Sequence, residues 1–437
     1  MSTSSPSVLP LDLESFRIGF AAVAGIMTLA HLPWFARSIR ILRSGLAQVS
    51  TPLDDDMENI AAEELPGADR LPASAIPTLP LRATVLIGCG FSLTLFATAF
   101  GWWPRTMLVV AAVLHLLFFR QSLETSKVAR KTSLLPWTCI LLALAPANGG
   151  GEALTVVAIK ILLAHMWFTA GLRKLQNAGW RWSAGSTLRH HLATEALENR
   201  TQPHDSMGMW IARRPRLCAL LAGATLFVEL ASPLVILPTV LWACAVAYLI
   251  FLALHLGIWL LWGLDYLSFC FLPIGLILLV PTDLPGLVDE LSAGLAWRTV
   301  ATLAIAGFFI ANTFLGIERW PVHDWPMFSG LIPWGHVRVR RLVASHDGRR
   351  SPVVLRDRYQ NRGIARHGRY LLWYGEQWAR ERNIDPVAIT QLELIETTID
   401  EDGRIAEETL MTFERLTQLR RWLWRPPWEE TTRRDSS

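Results

Sequence analysis

The chain has 437 residues, of which 51% are hydrophobic and only 18% are charged. Soluble domains carry about 25% charged residues, so this balance argues against an ordinary soluble protein and favours an integral membrane protein. The net charge of +4 is small and says little about partners. Because the sequence has no Gly-rich phosphate loop, no GxSxG and no basic, aromatic-rich nucleic-acid surface, we expect membrane lipids as partners and no nucleic acid.

The N-terminal tail, residues 1–15, is polar and carries no Lys or Arg, unlike a cleaved signal peptide, so we expect the first apolar helix to remain in the protein. Residues 16–320 predict a mainly α, polytopic helix bundle, since a membrane-crossing helix needs about 20 apolar residues. Tight turns between neighbouring segments indicate antiparallel packing. About nine spans are predicted, at 16–35, 82–103, 105–122, 134–147, 153–174, 217–237, 240–261, 265–281 and 297–317.

Basic residues divide unevenly between the two sets of loops. The loops on the side of the N-terminus contain only Arg105, whereas the opposite loops and the C-terminal region are rich in arginine and lysine. By the positive-inside rule the second side is cytoplasmic, which predicts a multi-pass cell-membrane protein with a cytoplasmic C-terminal domain. Tryptophans at the ends of apolar runs are typical of an interfacial belt: Trp34, Trp102, Trp103, Trp180, Trp262 and Trp297.

Two segments depart from the apolar pattern. The loop at 51–80 is acidic and then rich in Pro and Ala, which predicts a disordered or loosely attached linker. Residues 321–437 predict a small soluble α+β domain, with strand pairs around Asp347-Gly348 and Asp402-Gly403 and a helix over 369–382 between them.

The cysteines lie in or beside apolar segments without CxxC spacing, so we interpret them as buried small hydrophobes: Cys89, Cys139, Cys218, Cys244 and Cys270. No His, Cys, Asp and Glu spacing predicts a metal site, and no metal cofactor is expected.

Ionisable side chains inside the apolar segments are the candidates for function, because such groups are costly in a bilayer. The fifth predicted span is the richest, with Lys160, His165 and Lys174. Glu229 lies in the sixth span, His255 in the seventh and His115 in the third; Arg17 and His31 lie in the first.

Each candidate also has a purely structural interpretation. Lys174 is close to a span end, where a lysine can reach the headgroups. Glu229 needs a partner, and an ion pair with Arg17 or a lysine is the competing hypothesis. A single histidine on an apolar helix commonly bonds a neighbouring helix. Alternatively, a lysine that is partly desolvated beside another cation can act as a general base in a water-poor pocket.

The stretch WFTAGLRKLQNAGWRWSAGSTL resembles the signature helix of the vitamin K-dependent γ-glutamyl carboxylases and their bacterial relatives, the HTTM (horizontally transferred transmembrane) domain proteins. Similar segments follow in order: FVELASPLVIL around Glu229, FLALHLGIWLLWGLDYLSFCFL around His255, and RWPVHDWPMFSG. The resemblance extends over residues 14–345. The signature core comprises Gly171, Leu172, Lys174, Leu175, Trp182 and Gly185.

The resemblance implies a quinol-dependent enzyme. Lys174 would be the base that deprotonates vitamin K hydroquinone or another quinol, His115 would correspond to the family's essential histidine, and Glu229 and His255 would join them. Lys160, His165 and Trp182 would line the cofactor site. The activity implied is carboxylase-like carbon–carbon bond formation or a quinol-dependent oxygenase-like reaction on a peptide or small substrate. The alternative is a non-catalytic membrane protein, a lipid- or peptide-binding or export-associated scaffold.

Overall fold

The computed structural model describes residues 12–41, 79–120, 133–146, 152–199, 206–262, 267–293, 296–315, 334, 337–354, 375, 378–385, 388–400 and 404–413. The fold is mainly helical, with one small antiparallel sheet near the C-terminus. The loop predicted at 51–80 lies almost entirely outside these residues.

The helices follow one another through the first three quarters of the chain. Eleven α-helices are numbered here in chain order: α1 (Leu13–Ile41), α2 (Leu81–Ala99), α3 (Pro104–Arg120), α4 (Leu134–Leu144), α5 (Ala153–Ala178), α6 (Ser186–Asn199), α7 (Met207–Ala212), α8 (Pro215–Ala231), α9 (Leu241–Trp262), α10 (Leu284–Ser292) and α11 (Trp297–Leu315). Between α9 and α10, residues 267–279 form short π, α and 3-10 turns.

Six of the described helices are long and apolar enough to cross a membrane, which is consistent with a multi-pass membrane protein. They cover Leu13–Pro33, Arg82–Ala99, Ala153–Ala184, Pro215–Ile236, Leu241–Leu261 and Trp297–Leu315. The other three predicted spans are helical but shorter or broken. The apolar parts of α3 and α4 cover only Pro104–Phe118 and Leu134–Leu144, and the 272–279 turns meet α10 at a bend of 95°.

Helix α5 lies at the centre of the bundle. In its span 89% of the residues are buried, against 17% in the span formed by α9. It packs against α4, α8, α10 and α11. Every polar side chain that α5 carries in its first two thirds is therefore removed from solvent and lipid, and needs a partner on a neighbouring element.

Helix α10 caps the N-terminus of α5. The Glu290 carboxylate accepts hydrogen bonds from the backbone N–H groups of Ala153 (2.7 Å) and Leu154 (3.2 Å). These two donors have no partner within their own helix, and a carboxylate also suits the positive end of the helix dipole. The opposite face of α10 exposes Leu284, Val288 and Leu291. That amphipathic arrangement is typical of a helix lying in the membrane interface.

The sheet has the strand order β2-β1-β3-β4, all antiparallel. Its strands are β1 (Val337–His346), β2 (Arg349–Pro352), β3 (Ile389–Ile399) and β4 (Ile405–Phe413). The predicted strand pairs are confirmed. Asp347 and Gly348 have φ values of 49° and 70°, as a type I′ hairpin turn requires. The second predicted turn, at Asp402-Gly403, lies outside the described residues, and of the predicted helix 369–382 the described part at 378–381 is helical.

The sheet packs on the helix bundle through β1. Val337, Val339 and Ile399 belong to the same apolar cluster as the bundle core, and β1 contacts α6. The Arg189 guanidinium of α6 also lies 3.8 Å from the ring centre of Trp334, just before β1. The boundary predicted at residue 321 remains a prediction, since the sheet and bundle share this core.

The predicted tryptophan belt agrees with the exposed surface where the structure describes it. Trp102, Trp103, Trp180 and Trp297 are all strongly exposed. The side chains of Trp34 and Trp262 lie outside the described set. Among the cysteines, Cys139, Cys218 and Cys244 are buried as predicted and Cys89 is half-buried, whereas the Cys270 side chain is outside the described set.

Candidate functional site

The strongest polar feature of the bundle is an ion pair between α5 and α8. Lys174 Nζ lies 2.7 Å from both carboxylate oxygens of Glu229, and both side chains are nearly fully buried, at 3% and 8% exposed. The interpretation that Lys174 extends to the lipid headgroups is therefore wrong. The competing hypothesis for Glu229 is confirmed in its lysine form, since Arg17 instead pairs with Glu14 of its own helix.

Glycine allows the two helices to approach closely enough for this pair. A Cβ on Gly171 would lie 3.0 Å from the Cβ of Glu229 and 3.2 Å from the backbone N of Leu230. Gly171 is one turn before Lys174, so its missing side chain brings the carboxylate within reach of the amine. The neighbour Arg173 points elsewhere and donates a hydrogen bond to Gln176 at 2.6 Å.

Trp182 completes the surroundings of the amine. Helix α5 ends at Gly179, which has a φ of 59°, and a 3-10 turn over Gly179–Ala184 then folds Trp182 back into the core. The Trp182 ring is 1% exposed, and its centre lies 5.0 Å from Lys174 Nζ. The face of an indole attracts a cation, so the Trp182 ring is a favourable neighbour for the Lys174 side chain.

Gly185 fixes this turn against α8. Its φ is 82°, and an added Cβ would lie 2.5 Å from the backbone N of Ala219. Only glycine satisfies both the left-handed backbone and this close approach. Of the motif residues, Gly171 and Lys174 thus contact Glu229, Trp182 lies beside Lys174, and Gly185 holds the turn that carries Trp182 against the start of α8.

A second polar group lies at His255 of α9. His255 Nε2 accepts a hydrogen bond from the indole Nε1–H of Trp167 at 2.9 Å. His255 Nδ1 is buried and has no hydrogen-bond partner in the part of the chain that the structure describes. The two side chains are enclosed by stacked aromatic rings: Phe251 on Trp167 (3.7 Å) and Phe271 on His255 (5.0 Å).

The two polar groups are separate but close. Trp167 precedes Lys174 by seven residues on α5, about 10 Å along the helix axis. Trp167 was not among the sequence candidates. It reads as an ordinary apolar residue, and only the packing of α9 reveals that its N–H fixes the histidine.

The remaining α5 candidates serve packing contacts. His165 Nδ1 lies 2.8 Å from Thr313 Oγ1 of α11, and the His165 ring packs edge-on against Phe309. Lys160 is fully buried and donates to Thr282 Oγ1 at 2.8 Å, while Thr282 Oγ1 donates to the carbonyl of Ile236 at 2.7 Å. Lys160 lies 14 residues from Lys174, about 21 Å along the axis, so the two amines belong to opposite ends of the bundle.

His115 lies in another part of the bundle. It is buried on α3 against Phe91 of α2, with ring centres 5.3 Å apart. Helix α3 packs mainly on α2 and α4, so the structure does not bring His115 to the Lys174–Glu229 pair. Within the described residues, no group of three His, Cys, Asp or Glu side chains could hold a metal ion.

The fold and this site are those of a mainly helical bundle, with six described helices that could span a membrane and a buried, paired lysine at one end of its central helix. No protein-family model, curated protein or solved structure matches the chain. Its function must therefore be argued from the site itself and from the motif order in the sequence.

Proposed function

We propose that the chain is an HTTM/γ-carboxylase-like membrane protein of about nine spans whose bundle binds a quinol or similar lipid-soluble cofactor and modifies a peptide or small substrate. The observation that carries the proposal is the buried Lys174–Glu229 pair, with Gly171 and Trp182 of the signature motif beside it. Burying such a pair in a bilayer is costly, which favours a use for it.

The pair can take up a proton as one unit. The Lys174 ammonium donates to both oxygens of Glu229, so a proton can move from Nζ to the carboxylate and leave a neutral amine. The amine then accepts a proton from an acidic hydroxyl beside it, and Glu229 keeps the first one. The sum is an ammonium, a neutral carboxylic acid and the oxyanion of the hydroxyl.

In this proposal the flat ring of the quinol binds beside His255 and its aromatic neighbours. The buried Nδ1 without a partner can bond a hydroxyl or carbonyl oxygen, and Trp167 holds the ring orientation through Nε2. When bound, a quinol supplies an acidic hydroxyl and reducing electrons. The role proposed for His255 is to orient such a ring about two helical turns from Lys174.

The test is quinol-dependent O2 uptake by the purified protein in detergent, followed with an oxygen electrode, together with mass spectrometry of the quinones that co-purify. We expect quinone in the wild-type preparation and O2 uptake that Lys174→Met abolishes. Arg173→Gln, one residue away but outside the pair, is the matched control and should keep full uptake. Absence of both quinone and uptake in the wild type would refute the proposal.

One observation favours the alternative, a non-catalytic scaffold. Lys174 and Glu229 satisfy each other, and a pair of this kind can serve only to join α5 to α8. The double variant Lys174→Met/Glu229→Met distinguishes the two functions. A scaffold retains its fold and its lipid or peptide binding in the double variant, whereas an enzyme retains the fold and loses turnover.

A further inference from the structure

The sheet carries a polar cavity far from the bundle site. Its volume is about 400 Å³, and its lining is His346, Asp347, Arg349, Ser351, Trp378, Arg382 and Ile384. A cavity of this size accommodates a small organic molecule. Trp378 is 2% exposed and forms an apolar wall together with Ile384, while the other residues supply charge.

The charge in this cavity comes mainly from two arginines. Arg349 and Arg382 form no ion pair within the described part of the chain. By contrast, neighbouring arginines on the sheet are paired: Arg350 with Glu393 at 2.6 Å and Arg341 with Glu407. The one acid of the cavity, Asp347, is already engaged with His346 Nδ1 at 3.1 Å.

The indole of Trp378 gives the cavity a recognition surface. The Arg382 guanidinium lies 5.1 Å from the Trp378 ring centre, which holds the cation over the ring. The Nε1–H of Trp378 is buried and has no acceptor among the described residues, although buried indole N–H groups usually have one. An oxyanion bound between the two arginines would place acceptor oxygens beside the guanidinium and indole N–H donors of this cavity.

The geometry points to a binding site for a small organic oxyanion, a phosphate or carboxylate attached to an apolar body. Two guanidiniums match the oxygens of such a group, and the Trp378–Ile384 wall suits the body. Lipid headgroups share this chemistry. However, His346 follows Val337, the β1 residue packed on the bundle, by nine residues, about 30 Å along an extended strand. This distance favours a water-soluble ligand over a lipid.

The experiment titrates the full-length protein in neutral detergent with phenyl phosphate by isothermal calorimetry at low salt. We expect one saturable site, with the affinity reduced about tenfold in Arg349→Gln and in Arg382→Gln, since each loses charge-assisted bonds. Arg350→Gln is the matched control, because it removes the same charge from the next position while its partner is Glu393. Its affinity should change by less than about twofold.

The same variants separate the other outcomes. All three arginines are exposed, so we expect each variant to fold. A melting temperature equal to that of the wild type, followed by circular dichroism, checks this. No saturable binding of phenyl phosphate to the wild type, or equal loss in Arg350→Gln, overturns the inference. Short-chain phosphatidylglycerol is titrated in parallel. Arginine-dependent binding of this lipid without binding of phenyl phosphate assigns the cavity to a headgroup and contradicts a soluble ligand.

Discussion

Lys174 and Glu229 are the residues on which the bundle site depends. Each has a low solvent exposure that an unpaired charge could not sustain, and each satisfies the other through two short hydrogen bonds. Removing one partner leaves a buried charge, whereas removing both leaves an apolar contact. The energetic coupling between the two positions is therefore measurable.

We expect Lys174→Met and Glu229→Met each to destabilise the protein by about 3 to 5 kcal/mol, and the double variant to recover most of the loss. Thermal unfolding in detergent gives the three values and hence the coupling energy of a double-mutant cycle. Arg173→Gln serves as the comparison and should change stability by less than about 0.5 kcal/mol. Additive losses in the double variant would show that the pair does not interact.

Gly185 supports the same site through its backbone. Gly185→Ala must adopt a φ of 82° with its Cβ 2.5 Å from the Ala219 nitrogen, so we expect a loss of about 3 kcal/mol or more. Gly257→Ala, in the middle of α9 with no atom within 4 Å of the added Cβ, should be neutral or gain up to about 1 kcal/mol. Comparison of the two melting temperatures checks the prediction; equal effects would contradict it.

The sequence makes Lys174, Glu229 and His255 candidates because charged and imidazole groups are rare in apolar segments. It could not identify which groups meet, since spacing along one helix says nothing about the neighbouring helix. Trp167 and Thr282 were missed for that reason. His115 was chosen by motif order, and the structure places it on α3, away from the pair.

At the scale of elements, the entry to α5 is an acidic junction. Burial raises the pKa of Glu152, which precedes α5, and the carboxylates of Asp12, Glu14 and Glu290 raise it further. The Glu290 carboxylate accepts the hydrogen bonds that cap α5, so Glu152 is the carboxylate of this junction whose charged form is disfavoured by its neighbours.

The sequence did not predict α10, although an Asp before Leu-Pro-Gly is a recognisable helix start, here with Asp283 accepting from Gly286 N at 3.0 Å.

This junction makes stability depend on pH. Because the pKa of Glu152 is higher in the folded than in the unfolded chain, the folded state binds the proton more tightly, and stability falls as pH rises through the folded pKa. As pH falls from above the folded pKa to the unfolded value of about 4.5, protonation of Glu152 therefore increases stability.

Asp12 contributes in the opposite direction. The hydrogen bonds from Ser15 lower its pKa, so its contribution disappears only below its ordinary value of 3.8, outside this window. We expect Glu152→Gln to raise the melting temperature at pH 7 and to flatten its pH dependence between 7 and 4.5. Melting curves at several pH values check this, and a variant that follows the wild-type slope would contradict it.

At the scale of the whole molecule, the bundle and sheet were predictable as classes and the number of spans was not. Apolar runs identified every helical segment of the bundle except the small α6, α7 and α10. The remaining predicted spans differ from the six long helices in their length. Helix α4, for example, has 11 residues, about 16 Å, which is roughly half the hydrocarbon core. Sequence alone cannot distinguish such a buried half-length helix from a span, because both are uniformly apolar.

The positions of the two ends of the chain distinguish the counts. An odd number of spans, seven or nine, puts residue 12 and β4 on opposite sides of the membrane, whereas six spans put them on the same side.

Both Asp12 and Glu408 are exposed, so Asp12→Cys and Glu408→Cys can each be labelled with a membrane-impermeant maleimide in sealed cells and after permeabilisation. The unsubstituted chain, whose Cys139, Cys218 and Cys244 are buried, gives the background. We expect residue 12 to react in sealed cells and residue 408 only after permeabilisation, because the basic loops share the side of the sheet. Reaction of both from one side would exclude an odd count; with the six long helices as the spans, the bend between residues 279 and 284 would then return the chain to the side it came from.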